Sequence, residues 1–332
     1  MTMRISVIIP TYRRPGDLRR ACRGLALQTR PADQLVVVAR ADDGQTQAEI
    51  DQLHAQLPIS VAIVTRPGVV AALNAGLAVT TGDVVAITDD DAEPRPDWLE
   101  RIERHFASDP SILGVGGRDF IRANAPTSPR RPGKVGTLQW CGRVTGNHHD
   151  GSGPPRAVDV LKGVNMSFRR NALAEIGFDE RMRGSGAQVH FELALCLALQ
   201  RLGGKLIYDP AVAVDHYPAA RHDPDRRGVF VADPHLNAVH NQTLALLDHL
   251  SPPRRAAFAL WSLLIGTRVE PGLAQLPRLI ARREPNVLAR WRATLAGRRA
   301  GFSTHLASAS RPTSAARVSA TPAPLKKGVP CR

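Results

Sequence analysis

The chain has 332 residues, enough for about two domains and a real core, and its 43% hydrophobic and 22% charged residues exclude a disordered or disulfide-held peptide. Four cysteines, Cys22, Cys141, Cys196 and Cys331, lie too far apart for a zinc knuckle and read as free thiols in a reducing compartment. The net charge of +14 is uneven: residues 1–250 hold 29 Lys and Arg against 28 Asp and Glu, while residues 251–332 hold 15 against 2, which argues against a basic groove across the body.

Over the first third, short β-branched runs alternate with helical patterns, as in a parallel sheet with crossover helices. The pattern predicts a strand over 5–9, a helix over 16–28, a strand over 34–39 and a helix over 45–56. A strand over 61–65, a helix over 69–79 and a strand over 83–88 follow, the last running straight into Asp89, Asp90 and Asp91. Ligands of such sheets sit beyond the carboxyl ends of the strands. Three of those ends are polar: Thr11-Tyr12-Arg13, Asp42-Asp43 and Asp89-Asp90-Asp91.

A helix over 96–106 precedes a stretch rich in Pro, Gly, Arg and Asn, 118–153, which reads as long loops. Order returns over 157–169, with a helix over 170–176, a turn at Gly177 and an apolar helix over 191–202. A strand over 205–208 and a separate extended piece over 211–216 come next. Residues 234–250 and 253–299 read as helical, broken at Pro252, Pro253, Pro271 and Pro285, and the composition from Phe302 onward predicts a disordered tail. No apolar run suits a signal peptide, and the longest, residues 256–266, has 11 residues where a bilayer span needs about 20. The expectation is a cytoplasmic protein, at most peripheral on the inner face of the plasma membrane.

Three successive carboxylates repel one another unless a cation offsets them, and hard oxygen ligands of this kind suit Mg²⁺ or Mn²⁺. The bland alternative is a helix cap at Asp91 with the cluster facing water. No Gly-x-Gly-x-x-Gly follows the first strand, where Pro10-Thr11-Tyr12 stands instead, so a dinucleotide-binding dehydrogenase is disfavoured.

The order of the motifs is more specific than any one of them. The segments Ser6–Arg14 (SVIIPTYRR), Ala71–Ala78 (AALNAGLA), Thr80–Asp83 (TTGD) and the Asp89-Asp90-Asp91 strand end occur as in family 2 glycosyltransferases, which the chain resembles. The resemblance resumes at Leu161–Arg170 (LKGVNMSFRR), passes through Gly177–Glu180 (GFDE) and ends at Tyr208-Asp209-Pro210 and Val214-Asp215-His216, covering about residues 4–217. It implies an α/β GT-A fold: a Rossmann-like, mostly parallel central sheet flanked by helices, here with a C-terminal helical extension. The expected division is a donor-binding half at 1–110, an acceptor-binding and catalytic half at 111–245, a basic amphipathic extension at 246–300 and a tail at 301–332.

The resemblance further implies inverting, metal-dependent transfer from a nucleoside-diphosphate sugar to a glycan or lipid-linked acceptor, in cell-surface polysaccharide or glycoconjugate synthesis. Pro10, Thr11 and Tyr12 then lie along the base and ribose. Asp42 contacts the base, with Asp43 as its competitor, because Arg40-Ala41 precede the pair and Gln45 replaces the usual serine. Arg66 faces the base or diphosphate, or is an exposed loop arginine. Asp91 matches the metal-binding aspartate, Asp89 and Asp90 orient to the nucleotide or to metal-bound water, and His216 matches a further metal ligand of some members. Glu192 stands as general base because Phe191-Glu192 replaces the usual acidic pair; His190 is its rival, and a helix-capping role for Glu192 is the bland reading. Lys162, Gly163 and Asn165 shape the sugar pocket, Met166 and Phe168 are core, and His148-His149-Asp150 sits on a mobile loop over the site.

In the C-terminal segment ten arginines from Arg254 to Arg299 alternate with Trp261, Leu263, Leu264, Ile265, Trp291 and other apolar residues, the composition of interfacial helices facing anionic lipid. Packed helices with solvated arginines are the alternative. No nucleic-acid partner is expected, since aromatic residues make up 5% and no RNA-binding motif is present. Two other functions compete: a GT-A protein that binds nucleotide or sugar without chemistry, which the loss of an acid at Phe191 permits, and RNA binding through the basic tail.

Overall fold

The computed structural model describes residues 3–54, 57–122, 133–224 and 229–309. The chain begins with β1 (Ile5–Thr11), α1 (Pro15–Ala26), β2 (Gln34–Arg40), α2 (Gly44–Leu53), β3 (Ile59–Val64), α3 (Val69–Val79) and β4 (Val84–Thr88). These four strands lie side by side in the order β3-β2-β1-β4, all parallel. Both faces are covered, so the strands are apolar on both sides. Leu35, Val37 and Ala39 of β2 enter one core with Leu18, Ile50 and Trp98, whereas Val36 and Val38 enter the opposite core with Leu73 and Phe168. The two-residue period of a strand sends alternate side chains to opposite faces.

The next elements are β5 (Ala92–Pro94), α4 (Trp98–Ser108) and β6 (Ile112–Ile121). A short hairpin, β7 (Thr137–Leu138) with β8 (Val144–Thr145), and a 3-10 turn at His148–Asp150 lead to β9 (Arg156–Ala157), β10 (Asn165–Arg169) and α5 (Arg170–Ile176). After α6 (Phe191–Arg201) comes β11 (Lys205–His216). The sheet continues β4-β10-β6-β11-β5, with β10 antiparallel to both neighbours and β6 parallel to β11. The result is a mostly parallel nine-stranded sheet among the described residues.

Several expectations are corrected. Strand β6 is masked in the sequence by Gly114, Gly116 and Gly117, which are there because the sheet closes tightly on them. A Cβ on Gly117 would lie 1.7 Å from the Val212 carbonyl oxygen, and one on Gly116 2.7 Å from that of Asn165. The pieces expected at 205–208 and 211–216 form the single strand β11, whose register shifts between Asp209 and Val214, a bulge that accommodates Pro210. The loop expected over 118–153 begins inside β6, and its His148 is buried, with Nε2 2.9 Å from the Val160 carbonyl. That turn is packed into the body and is not a mobile cover for a site. Residues 123–132 of the same stretch lie outside the described residues.

The C-terminal part consists of α7 (Ala232–His249), α8 (Pro252–Leu264), α9 (Gln275–Ala281) and α10 (Val287–Ala309). The boundary expected at 245/246 falls inside α7, and Leu244, Leu247 and Phe258 join the core on one face of the sheet. Helix α10 packs along α7 through small residues: a Cβ on Gly297 would lie 2.6 Å from the Leu236 carbonyl oxygen, and one on Gly301 2.7 Å from Thr243. It runs eight residues past the start of the expected tail, because Phe302 packs on the core, Thr304 bonds His240 and His305 pairs with Asp248. Tertiary contact overrides composition there. Residues 310–332 lie outside the described residues. No helix among the described residues is long and apolar enough to cross a membrane.

Candidate active site

A cleft opens where the parallel strands end. Pro10, Thr11 and Tyr12 line it from the end of β1, Arg40 from the end of β2, and Asp89, Asp90 and Asp91 from just beyond β4. The first turn of α3 and the loop before α6 face them, and Arg221, His222 and Asp223 line a further wall. The Tyr12 ring carries the Arg40 guanidinium 4.0 Å from its centroid and meets His222 edge-on.

The two aspartates after β2 have different tasks. Asp43 is buried and caps α2, accepting hydrogen bonds from the Thr46 amide at 3.1 Å and the Thr46 hydroxyl at 2.6 Å, and also from the Arg13 amide. Asp42 is exposed at the rim, bonded to Arg40 at 2.9 Å and to the Tyr12 hydroxyl at 3.4 Å. Capping satisfies backbone donors that a helix start leaves open, so Asp43 is committed to the scaffold.

The acidic strand end is knitted into the body. Asp90 accepts from the Thr11 hydroxyl at 2.8 Å and from Arg14 at 2.9 Å, and burial pushes its carboxyl up to about 7 despite Arg14. Asp91 Oδ2 accepts from the Ala219 amide at 2.9 Å, and its Oδ1 lies 3.3 Å from His216 Nε2. His216 is held on its other side 3.4 Å from Asp119 Oδ2, and Asp119 also binds the Lys162 ammonium. Burial disfavours a charge on His216, but Asp119 and Asp91 outweigh it and raise the imidazole to about 9.

Among the described residues no group of three or more His, Cys, Asp or Glu is gathered as a ready metal cage. A smaller donor set exists. His216 Nε2 faces Asp91 Oδ1 at 3.3 Å as an ion pair, and a cation could enter between them only in exchange for the imidazole proton that Asp91 and Asp119 stabilise. Mg²⁺ commonly takes one or two protein ligands and completes its shell with water and substrate phosphates, so the pair fits such an ion.

The loop before α6 is fixed by the start of α3. Gln188 is buried, its side-chain oxygen accepting from the Val70 amide at 2.9 Å and its amide donating to the Met182 carbonyl at 2.7 Å, while the Val69 amide donates to the Gly186 carbonyl at 2.9 Å. His190 adopts φ +77 as the residue before α6, which places Phe191 in the cleft wall and Glu192 in the first helical turn. Burial raises the Glu192 carboxyl above its usual value, and His190, the local amides and Lys162 offset only part of that. The helix N-terminus and the acid thus interact, as the capping reading requires, yet the net effect favours the protonated form.

Not every expected residue arrives at the cleft. Arg66 pairs with Glu180, at 3.2 Å, on the surface outside the lining, so its loop-arginine reading is the one observed. Asn165 is fully buried, accepting from the Trp98 indole at 2.9 Å and donating to the Val212 carbonyl at 2.8 Å, and is a strut between α4 and β11 rather than a pocket residue. Gly163 lines the cleft, where a Cβ would lie 3.1 Å from the Phe191 ring, while Lys162 turns to Asp119. Met166 and Phe168 are core, and Cys22, Cys141 and Cys196 are free thiols. The sequence pattern gave no role to Asp119, Arg14 or the 221–223 wall; of these only Arg14 lay inside a recognised motif.

The profile described as Glycosyl transferase family 2 matches residues 6–177. The chain is similar to the glucosyl-dolichyl phosphate glucuronosyltransferase of Haloferax volcanii, 26% identical over 64% of this chain and 69% of that one. It is also 30% identical to the pre-mycofactocin glycosyltransferase of Mycobacterium tuberculosis, over 64% of this chain but only 42% of the relative's length. Among solved structures it resembles the mannosyltransferase PcManGT of Pyrobaculum calidifontis in complex with GDP-Man and Mn²⁺, at TM-score 0.55 and 19% identity, covering 92% of this chain and 88% of that one. S. aureus TarS residues 1–349 with UDP-GlcNAc gives TM-score 0.56 at 15% identity and covers 92% of each. These structural likenesses establish the GT-A fold.

Proposed function

The chain belongs to glycosyl transferase family 2, and on that premise we propose that it moves a sugar from a nucleoside-diphosphate donor to a glycan or lipid-linked acceptor, with inversion at the sugar carbon. The observation that carries this reading is the meeting of three polar strand ends, Tyr12, Arg40 and Asp89 to Asp91, in one cleft walled by Phe191, whose neighbour Glu192 is half-buried just outside the lining. The donors bound by PcManGT and TarS support a nucleoside-diphosphate sugar, and the dolichyl phosphate in the haloarchaeal relative's name supports a lipid-linked acceptor.

Pro10, Thr11 and Tyr12 would support the base and ribose, with Asp42 and Arg40 reading the base edge. Asp91 and His216, with Asp89 beside them, would hold Mg²⁺ or Mn²⁺, an ion consistent with the Mn²⁺ of PcManGT. Such an ion acts as a Lewis acid on a diphosphate and stabilises the charge that leaves. Lys162 and Gly163 would border the transferred sugar.

Glu192 would take the proton of the acceptor hydroxyl as its oxygen bonds to the anomeric carbon and the bond to the diphosphate breaks on the opposite face. A carboxylate whose proton affinity is raised by burial is a better base than an exposed one. His190, its neighbour, is the second candidate for that proton.

The test is acceptor-dependent release of a nucleoside diphosphate from a panel of nucleotide sugars with Mn²⁺. The reading expects one donor to be consumed, and Glu192→Gln to bind that donor but not turn it over. A protein that binds nucleotide yet turns over no donor with any glycan or lipid-linked acceptor would instead be the inactive binder.

A further inference from the structure

The outer end of the C-terminal helices is more apolar than a water-facing surface requires. Leu263, Leu264 and Ile265 close α8, each nearly half exposed. The chain then turns back through a bridge between Gly266 and Pro271 and lays Leu273 and Ala274 against them. The Leu273 amide donates to the Leu263 carbonyl at 2.9 Å and the Ala274 amide to that of Leu264 at 2.8 Å. Leu260 and Val269 are 62% and 63% exposed, and Ile280 of α9 is more than half exposed. Single exposed leucines are ordinary, but a cluster brought together by its own backbone marks a surface that something else covers.

Charge selects the cover. Residues 251–309 contain two acids, Glu270 and Glu284, and each is already neutralised inside the protein, Glu270 by Arg298 at 3.0 Å and Glu284 by Arg268. Arg278, Arg282 and Arg283, which follow the apolar turn directly, have no carboxylate partner among the described residues. A second copy of this chain would set these arginines against their own kind. An anionic bilayer offers apolar depth for the leucines and phosphates for the arginines at once.

We propose that the tip formed by the end of α8, the 266–274 turn and α9 is a membrane-docking element that seats this protein on anionic lipid. Docking there deepens the proposed transfer by bringing the enzyme to the surface where a lipid-linked acceptor resides, and rests on that reading only for the acceptor.

Sedimentation of the full chain with vesicles of phosphatidylcholine, alone or mixed with phosphatidylglycerol, tests it. Binding is expected with phosphatidylglycerol, weakening as salt rises. It should fall by about tenfold or more in the double variant Leu263→Asp, Leu264→Asp, and also in Arg278→Glu, Arg282→Glu. Because these side chains are exposed, melting temperature and stabilisation by nucleoside diphosphates should not change, which separates docking from folding and from the donor site. Failure to bind anionic vesicles would overturn the proposal. So would undiminished binding by the leucine variant, or a dimer in light scattering that the same leucine changes dissolve. Vesicle binding without any nucleotide effect would leave docking standing and reject the donor site instead.

Discussion

Arg14 Nη1 lies 2.9 Å from Asp90 Oδ1 and 3.8 Å from Asp91 Oδ2, while Nη2 of the same guanidinium donates to the Ala220 carbonyl at 2.9 Å. One side chain therefore offsets the repulsion of the acidic strand end and ties it to the segment that walls the cleft. Removing one partner of a buried pair leaves the other uncompensated, at a cost of about 3 kcal/mol or more. Arg14→Ala should lower stability by that order in urea unfolding and weaken nucleotide binding, whereas Arg14→Lys should recover part of the stability but not the bond to Ala220.

Asp42 and Asp43 are adjacent in sequence and opposite in consequence. Asp43→Ala removes the cap of α2 and the bond to the Arg13 amide, and should cost roughly 1–2 kcal/mol of stability. Asp42→Ala should leave the melting temperature nearly unchanged and weaken nucleoside diphosphate binding, measured by titration calorimetry. A reversal of the two phenotypes would exchange their roles.

Glu192 is expected to set the acid limb of the pH–rate profile. Burial raises its carboxyl above 4.5, so activity should climb with pH through a midpoint above the ordinary glutamate value as the base form appears. Glu192→Gln should lose about 10²-fold or more in kcat with donor affinity retained. If His190→Ala, and not Glu192→Gln, removes that limb, the proton goes to His190.

Acid should unfold the protein partly through His148. Burial drops its imidazole from 6.5 to about 4, so the folded state disfavours the charged form. The resulting stability is present in full above pH 6.5 and is lost as pH falls through 4, by an amount on the order of 3 kcal/mol. His235, His240 and His249 are lowered as well and act in the same direction. His148→Gln should flatten the dependence of unfolding free energy on pH within that window.

The parallel half of the fold was legible because both of its signals are local. Apolar runs of strand length and the helix Val69–Val79, predicted with its observed bounds, follow from periodicity within a few residues. What stayed hidden depends on partners distant in sequence. The first half of strand β6 carries no strand signal and its end reads as loop until Val212 and Asn165 are placed against it, and the last eight residues of α10 read as tail until α7 receives them. The site divides likewise: Tyr12 and the aspartates after β4 lay in recognisable motifs, whereas Asp119 enters only because β11 brings His216 beside it. Asn165 was placed in the sugar pocket, and Arg66 left between cleft and loop, because a chemically suitable side chain near a motif says nothing of where its χ angles take it.

The central claim, that the cleft is a nucleoside-diphosphate site whose metal is held at Asp91, is tested most directly by melting temperature. The wild type and Asp91→Ala would be heated with UDP, GDP, ADP, CDP and dTDP, with and without Mn²⁺. The account predicts that one nucleotide stabilises the wild type, that Mn²⁺ is needed for the full effect, and that Asp91→Ala loses it. A folded wild-type protein that no nucleotide stabilises, or an Asp91→Ala variant that responds as the wild type does, would contradict it.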